Sequence, residues 1–240
     1  MYLFLYSVVN FIASLFQSIF GFGNALIATP LLLIFLDKGT VVTANAVTGI
    51  LLNIAIIKQI KAPLNKRIFI PLVIGSLLGM PLGIFVLKVI SIEILKITVG
   101  GLSIFFAILI LFLKVKLPKS NYVILITGFL SGFLQTSTTM PGPPLILLLS
   151  VFSLEKDTMR KLLISFFLFV SSITLILSLT SQIMTEQGLI YGVLGIPFSI
   201  IASILGNKLI KKIPQKKYQL IALGIICLTG ISAIFSSIKG

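Results

Sequence analysis

Long apolar runs alternate along this chain with short gaps that collect its charged residues. A helix rises about 1.5 Å per residue and the hydrocarbon core of a bilayer is about 30 Å thick, so a transmembrane helix needs about 20 apolar residues. Six runs come close to that length or exceed it, and they are predicted to span a membrane. These are residues 41–60, 68–89, 95–113, 162–180, 189–210 and 218–238.

Three other apolar runs are too short to cross a bilayer alone. As helices, residues 25–36, 122–134 and 143–152 would reach about 18, 20 and 15 Å. The last two flank a polar stretch, and the three pieces together predict a re-entrant hairpin. Residues 3–20 are nearly long enough to span, so the first hairpin is either re-entrant or fully spanning.

The polar stretch of the second hairpin, residues 135–144, reads Gln-Thr-Ser-Thr-Thr-Met-Pro-Gly-Pro-Pro. Its prolines and glycine predict a break in the helix, which a membrane tolerates only against protein or a wet cavity. Residues 135–142 would then offer free backbone amides and four consecutive hydroxyl groups. Pro143 and Pro144 would open the next short helix, whose N-terminus carries about half a positive charge.

A second, shorter break occupies the same place in the first half, at Gly21-Phe22-Gly23-Asn24. The glycines free the backbone, Ala25 would start a short helix, and Asn24 would be its N-cap. Two helix N-termini that face one spot near the midplane form an anion site without any cationic side chain. The alternative interpretation is two ordinary kinks, closed by hydroxyl-to-backbone hydrogen bonds.

Two residues outside the breaks are added to the candidate site. Asn45 lies about one turn into its span and Gln17 just before the first break, whereas Asn53 is predicted to form an interhelical hydrogen bond. The predicted substrate-binding residues are Gln17, Gly21, Phe22, Gly23, Asn24, Asn45, Gln135, Thr136, Ser137, Thr138, Thr139 and Gly142.

Composition excludes a soluble domain. The 240 residues are 58 % hydrophobic and 10 % charged, with a mean hydropathy of +1.20, whereas soluble chains carry about 25 % charged residues. The net charge of +14 does not indicate a nucleic-acid partner, because the cations lie in gaps between apolar runs. The predicted partners are a lipid bilayer and a small anionic substrate.

The charged gaps also predict the orientation in the membrane. By the positive-inside rule, the basic gaps are cytoplasmic and the gaps with little net charge are external, and the two kinds alternate. The mixed gap at 155–161 fits the cytoplasmic side. The basic gaps are 58–67, 114–119 and 208–217, and the external ones are 37–40, 89–94 and 181–188.

The two halves of the chain repeat. Pro30 with its following leucines aligns with Pro144 at an offset of 114 residues, and Gly83 aligns with Gly206 at an offset of 123. The predicted repeats are residues 1–116 and 117–240, each a hairpin plus three spans. An odd number of crossings inverts the second copy, and inverted repeats are a common transporter architecture. Glycines at four-residue spacing predict close helix packing.

The side chains needed for catalysis or metal binding are absent from the apolar runs. The sequence has no histidine and one cysteine, Cys227, and all its carboxylates lie at segment ends. We therefore expect neither an enzyme nor a cofactor or metal site. The first 20 residues lack a basic leader and a cleavage site and are expected to remain as a membrane segment.

The two breaks carry a resemblance to a known family. Residues 21–30 read Gly-Phe-Gly-Asn-Ala-Leu-Ile-Ala-Thr-Pro, and residues 128–135 read Gly-Phe-Leu-Ser-Gly-Phe-Leu-Gln, continuing to Pro141-Gly142-Pro143-Pro144. Together with the duplicated layout, they resemble the TauE/SafE family of sulfite and organosulfonate transporters. Here hydroxyl residues stand where many members have a fuller glycine cluster, which favours an oxyanion ligand. The resemblance implies a bacterial or archaeal inner-membrane permease that moves a sulfur oxyanion or a sulfonate, often outward.

We therefore expect an all-α polytopic transporter in a prokaryotic plasma membrane. It would move a small anion, sulfite or an organosulfonate, by alternating access. A small-anion channel and a non-transporting assembly or sensor subunit are the alternatives. The sequence leaves the exact substrate, the direction, the coupling ion and the oligomeric state open.

Overall fold

The computed structural model describes residues 2–112, 118–152, 154–209 and 231. Over these residues the chain forms helices and no strand. The predicted span at 218–238 and most of the basic gap at 208–217 lie outside the described residues. The helices are α1 Tyr2–Phe20, α2 Asn24–Leu32, α3 Lys38–Ile57, α4 Lys66–Val89, α5 Ile92–Phe112, α6 Asn121–Thr138, α7 Gly142–Val151, α8 Lys156–Thr180 and α9 Glu186–Leu209.

Five described helices are long and apolar enough to cross a membrane: α1, α3, α4, α8 and α9. The last four confirm the predicted spans at 41–60, 68–89, 162–180 and 189–210. Residues 95–112 of the run at 95–113 lie in α5, which has 21 residues. Helix α1 has 19 residues and α2 only nine, so the first hairpin pairs a helix of spanning length with a half-length one.

The second break is shorter than predicted. Helix α6 extends to Thr138, so the prediction of a non-helical backbone is wrong for residues 135–138. The hydroxyl of Ser137 donates to the Phe133 carbonyl at 2.7 Å, and the hydroxyl of Thr138 donates to the Leu134 carbonyl at 2.8 Å. Each polar side chain is thereby satisfied within its own helix, which lets the helix continue.

The chain turns at Thr139, whose φ of 61° is left-handed. Pro143 and Pro144 stand in the first turn of α7, as predicted.

The first break lies where the sequence places it, between α1 and α2. Gly21 and Gly23 have φ values of 80° and 98°, in the left-handed region that glycine adopts without strain. Because Gly23 makes the turn, Asn24 is the first residue of α2, and the prediction of Asn24 as N-cap is wrong. Its side-chain amide instead donates to Ser14 Oγ at 3.3 Å.

The two short helices begin at Asn24 and Gly142, which are 118 residues apart. The offset of 114 that aligns Pro30 with Pro144 therefore pairs unequal positions. Pro30 is the seventh residue of α2, whereas Pro144 is the third residue of α7.

For the gaps at 37–40, 58–67, 155–161 and 181–188, contacts between helix ends agree with the predicted division into two faces. On one face, Lys161 at the start of α8 donates to the Ile57 and Ile60 carbonyls at the end of α3, at 3.3 and 3.1 Å. On the other face, the hydroxyls of Thr40 and Thr185 are 2.9 Å apart. We call the first the basic face, because it holds the gaps at 58–67 and 155–161, and the second the neutral face.

Glycines bring α4 and α6 into backbone contact. A Cβ on Gly79 would lie 2.1 Å from the Phe129 carbonyl oxygen, and one on Gly128 would lie 2.3 Å from the Leu72 carbonyl oxygen. Since only hydrogen fits at these positions, the four-residue glycine spacing serves packing, as predicted. Helix α1 packs on α9, and α3 packs on both α8 and α9.

Candidate functional site

A cavity of about 50 Å³ lies between the two breaks. Its walls come from both hairpins, from the middle of α3 and from the middle of α8. The lining residues are Gln17, Gly23, Asn24, Ala25, Leu26, Asn45, Gly49, Asn53, Gln135, Thr139, Met140, Pro141, Gly142, Phe167 and Ser171.

The first turns of α2 and α7 line this cavity together. Gly23 to Leu26 contribute from one side, and Pro141 and Gly142 from the other. A Cβ on Gly142 would be 3.9 Å from the Cβ of Phe22, so the two breaks are in contact. Two helix N-termini, each equivalent to about half a positive charge, therefore adjoin the same small space.

Seven of the twelve predicted site residues line the cavity, and five do not. The first group is Gln17, Gly23, Asn24, Asn45, Gln135, Thr139 and Gly142; the second is Gly21, Phe22, Thr136, Ser137 and Thr138. The hydroxyl of Thr136 donates to the Met80 carbonyl at 2.7 Å and joins α6 to α4. Substrate contact by any of the twelve stays a prediction.

Five carboxamide side chains provide most of the polar lining. One of them, Gln17, donates from Nε2 to Asn53 Oδ1 at 2.6 Å, which confirms the interhelical hydrogen bond predicted for Asn53. Side-chain amides can donate to an anion without adding a charge of their own. The five are Gln17, Asn24, Asn45, Asn53 and Gln135.

A pair of hydroxyl groups lies on the side of the cavity toward the neutral face. The side chains of Thr29 and Thr139 are hydrogen-bonded to each other. Asn45 donates from Nδ2 to Thr29 Oγ1 at 3.1 Å, and the same nitrogen lies 3.5 Å from Thr139 Oγ1. This contact joins α2, α3 and the second break at one point.

Some contributors are not among the predicted site residues. Gly49 and Ser171 line the cavity where α3 meets α8, and a Cβ on Gly49 would lie 3.3 Å from Ser171 Oγ. Thr29 is the only hydroxyl residue of α2, which is the one sequence signal that could have pointed to it.

Arg160, in the first turns of α8, contacts the first break from the basic-face side. Its Nη2 donates to the Ser18 carbonyl at 3.0 Å. Within the described ranges, no group of three or more His, Cys, Asp or Glu side chains could hold a metal ion.

Two findings come from comparison with known proteins. A family model described as Sulfite exporter TauE/SafE matches residues 6–233. No curated protein and no solved structure matches the chain.

Proposed function

The chain belongs to the Sulfite exporter TauE/SafE family of membrane transporters, and on this premise we propose that it carries sulfite or an organosulfonate by alternating access. The substrate would be held in the cavity between the two breaks, near the middle of the bilayer. The membrane would be a prokaryotic plasma membrane. The inside-negative potential, worth about 2.3 kcal/mol per charge per 100 mV, favours outward movement of an anion.

The observation that carries this proposal is that the first turns of α2 and α7 line one cavity. Helix N-termini bind oxyanions through free backbone amides and the helix dipole. Among the described residues, no charged side chain lines the cavity, so the helix dipoles and the N–H groups of the carboxamides would stabilise the bound anion. A site without a fixed cation also releases an anion more readily, as a transporter requires.

The packing of the helices supports two inverted repeats, residues 1–116 and 117–240. Three contacts between α4 and α6 have counterparts between α9 and α1. A residue of α4 corresponds to the residue of α9 that is 123 positions later. A residue of α6 corresponds to the residue of α1 that is 118 positions earlier. The matching contacts are Leu72–Gly128 with Gly195–Asn10, Ser76–Gly132 with Ser199–Ser14, and Gly83–Thr136 with Gly206–Ser18.

The same 118-residue offset relates the walls of the cavity. Ten of its lining residues form five pairs, each with one member from either half. The pairs are Gln17 with Gln135, Gly23 with Pro141, Asn24 with Gly142, Gly49 with Phe167, and Asn53 with Ser171. This arrangement supports a site on the axis between inverted repeats, which is where such transporters hold their substrates.

Different groups lie on the two sides of the cavity, where alternating access would require gates. The hydrogen-bonded hydroxyls of Thr29 and Thr139 lie toward the neutral face. Arg160 holds the end of α1 toward the basic face. Holding one water takes about 10–15 Å³ of such space, so about 50 Å³ leaves room for one small anion.

A transport screen tests the proposal. The purified protein in proteoliposomes would be given labelled sulfite, thiosulfate, sulfate, sulfoacetate and acetate, with protein-free liposomes as the blank. We expect saturable uptake of sulfite or a sulfonate, whereas uptake of none of these anions above the blank would refute the proposal.

A matched pair of glycine variants connects transport to the cavity. The Gly142→Ala methyl group would sit at ordinary contact distance, 3.6 Å from Phe167, and occupy cavity space, so uptake should fall at least tenfold. A Cβ on Gly101 meets nothing within 4 Å, so Gly101→Ala should transport like the wild type. Equal activity of the two variants would place the substrate elsewhere.

A further inference from the structure

Arg160 differs from every other charged residue that the structure describes. It is 7 % exposed, and it is the only charged side chain among the described residues that is buried. Charged side chains are almost never fully buried unless they are paired, so a buried arginine calls for an explanation. Arg160 is four residues from the start of α8, on the side of the basic face.

The guanidinium connects the first break to solvent. Its Nη2 donates to the Ser18 carbonyl near the end of α1. Its aliphatic stem covers Gly21, where a Cβ would lie 3.2 Å from Arg160 Cγ. On its other side, Nη1 is 3.8 Å from Asp157 Oδ1, and the Asp157 side chain is 68 % exposed.

Arg160 lies on the same face of α8 as two residues of the cavity. Phe167 and Ser171 line the cavity, and spacings of seven and four residues place all three side chains on one side of the helix. Seven residues correspond to about 10 Å along the helix axis. Arg160 therefore stands between the basic face and the cavity.

The position in the first half that corresponds to Arg160 carries no charge. The N-cap residues of α3 and α8 are Asp37 and Glu155, which are 118 residues apart, so this offset also relates α3 to α8. The same offset pairs Arg160 with Val42, a buried apolar residue. These two related positions, one on each side of the cavity, thus differ by one positive charge.

We propose that Arg160 recruits the substrate anion on the basic-face side of the cavity, and that the anion displaces the carboxylate of Asp157. This inference rests on the proposed function. A guanidinium binds an oxyanion through two parallel hydrogen bonds. The contact is long, 3.8 Å, and its carboxylate end is exposed to solvent, so it contributes little stability and Asp157 yields its place easily. Once the anion is bound, release of the Ser18 carbonyl frees the end of α1 beside the first break.

Transport measured separately from each face tests this inference. The positive-inside rule assigns the basic face to the cytoplasm. Everted membrane vesicles therefore present the basic face to added sulfite, and right-side-out vesicles present the neutral face. We expect Arg160→Gln to raise the half-saturating sulfite concentration about tenfold at the basic face and less than twofold at the neutral face. Arg160→Lys should restore part of the loss.

Two further variants separate recruitment from a purely structural role. Asp157→Asn removes the competing carboxylate and should lower the half-saturating concentration at the basic face about twofold. The matched control is Lys161→Gln, which loses a neighbouring cation bonded to the end of α3. This variant should keep the wild-type difference between the half-saturating sulfite concentrations at the two faces.

The outcomes distinguish this inference from the proposed function. The inference would be overturned if Arg160→Gln raised the half-saturating sulfite concentration equally at both faces, or if Asp157→Asn did not lower it at the basic face. Either result would show that Arg160 only caps α1. Absence of transport of every anion tested by the wild type would instead refute the proposed function.

Discussion

The two breaks place equivalent helix ends at one cavity by different chemistry. The first turns through two glycines with positive φ, Gly21 and Gly23, and a buried cation bonds to the helix that precedes it. The second turns through Thr139, and uncharged hydroxyl and amide groups bond to it. The backbone shape is common to the two halves, whereas the side chains that hold it are not.

This difference suggests that the two sides of the cavity respond to different signals. A charge–carbonyl contact responds to an arriving anion, because the anion competes for the guanidinium. A hydroxyl pair carries no charge and changes only when the helices move. Substitutions in one break should therefore not reproduce the effects of those in the other.

The largest effect is expected from Gly23→Ala. Its φ of 98° disfavours an L-residue, and the new Cβ would lie 2.4 Å from Cε1 of Phe16. Together these should cost about 3 kcal/mol, visible as a lower unfolding temperature of the detergent-purified protein. Thr139→Gly, at the turn of the second break, fits the left-handed φ but removes the hydroxyl bonded to Thr29, so the loss should be smaller, about 1–2 kcal/mol. Equal losses of stability in the two variants would show that the two breaks tolerate substitution alike.

An intermediate effect is expected from Thr29→Val, which keeps the shape of the side chain and removes the hydroxyl. Asn45 and Thr139 would each lose a buried partner, at a cost of about 1–3 kcal/mol. Because this contact lies on the neutral-face side of the cavity, sulfite transport from that face should change several-fold and transport from the basic face less. A loss of sulfite transport only from the basic face would contradict the proposal that the two sides of the cavity act separately.

The smallest effect is expected from Ser137→Val and Thr138→Val. Both hydroxyls bond to carbonyls of their own helix, and neither residue lines the cavity. Labelled sulfite uptake should therefore change less than about twofold, since such bonds do not stabilise a helix. If either variant abolished uptake while the protein remained folded, the hydroxyls would contact the substrate in another state of the cycle.

Much of the site follows from local sequence. The glycines of the first break require a turn wherever the chain folds, and Pro143 and Pro144 fit only at the start of a helix. For this reason the sequence places both short helices to within a few residues. It misplaces the second break by four residues, because the hydroxyl residues at 136–138 are equally satisfied in a helix or in a turn.

The sequence by itself determined that this is a helical membrane protein with two interrupted helices, because apolar length and glycine or proline placement act locally. Only the tertiary structure decided which polar groups meet. Thr29 contacts Thr139 across 110 residues, and Arg160 contacts Ser18 across 142 residues. Such pairings depend on how whole helices pack, and helix packing in lipid is set by shape and by glycine contacts far from the site.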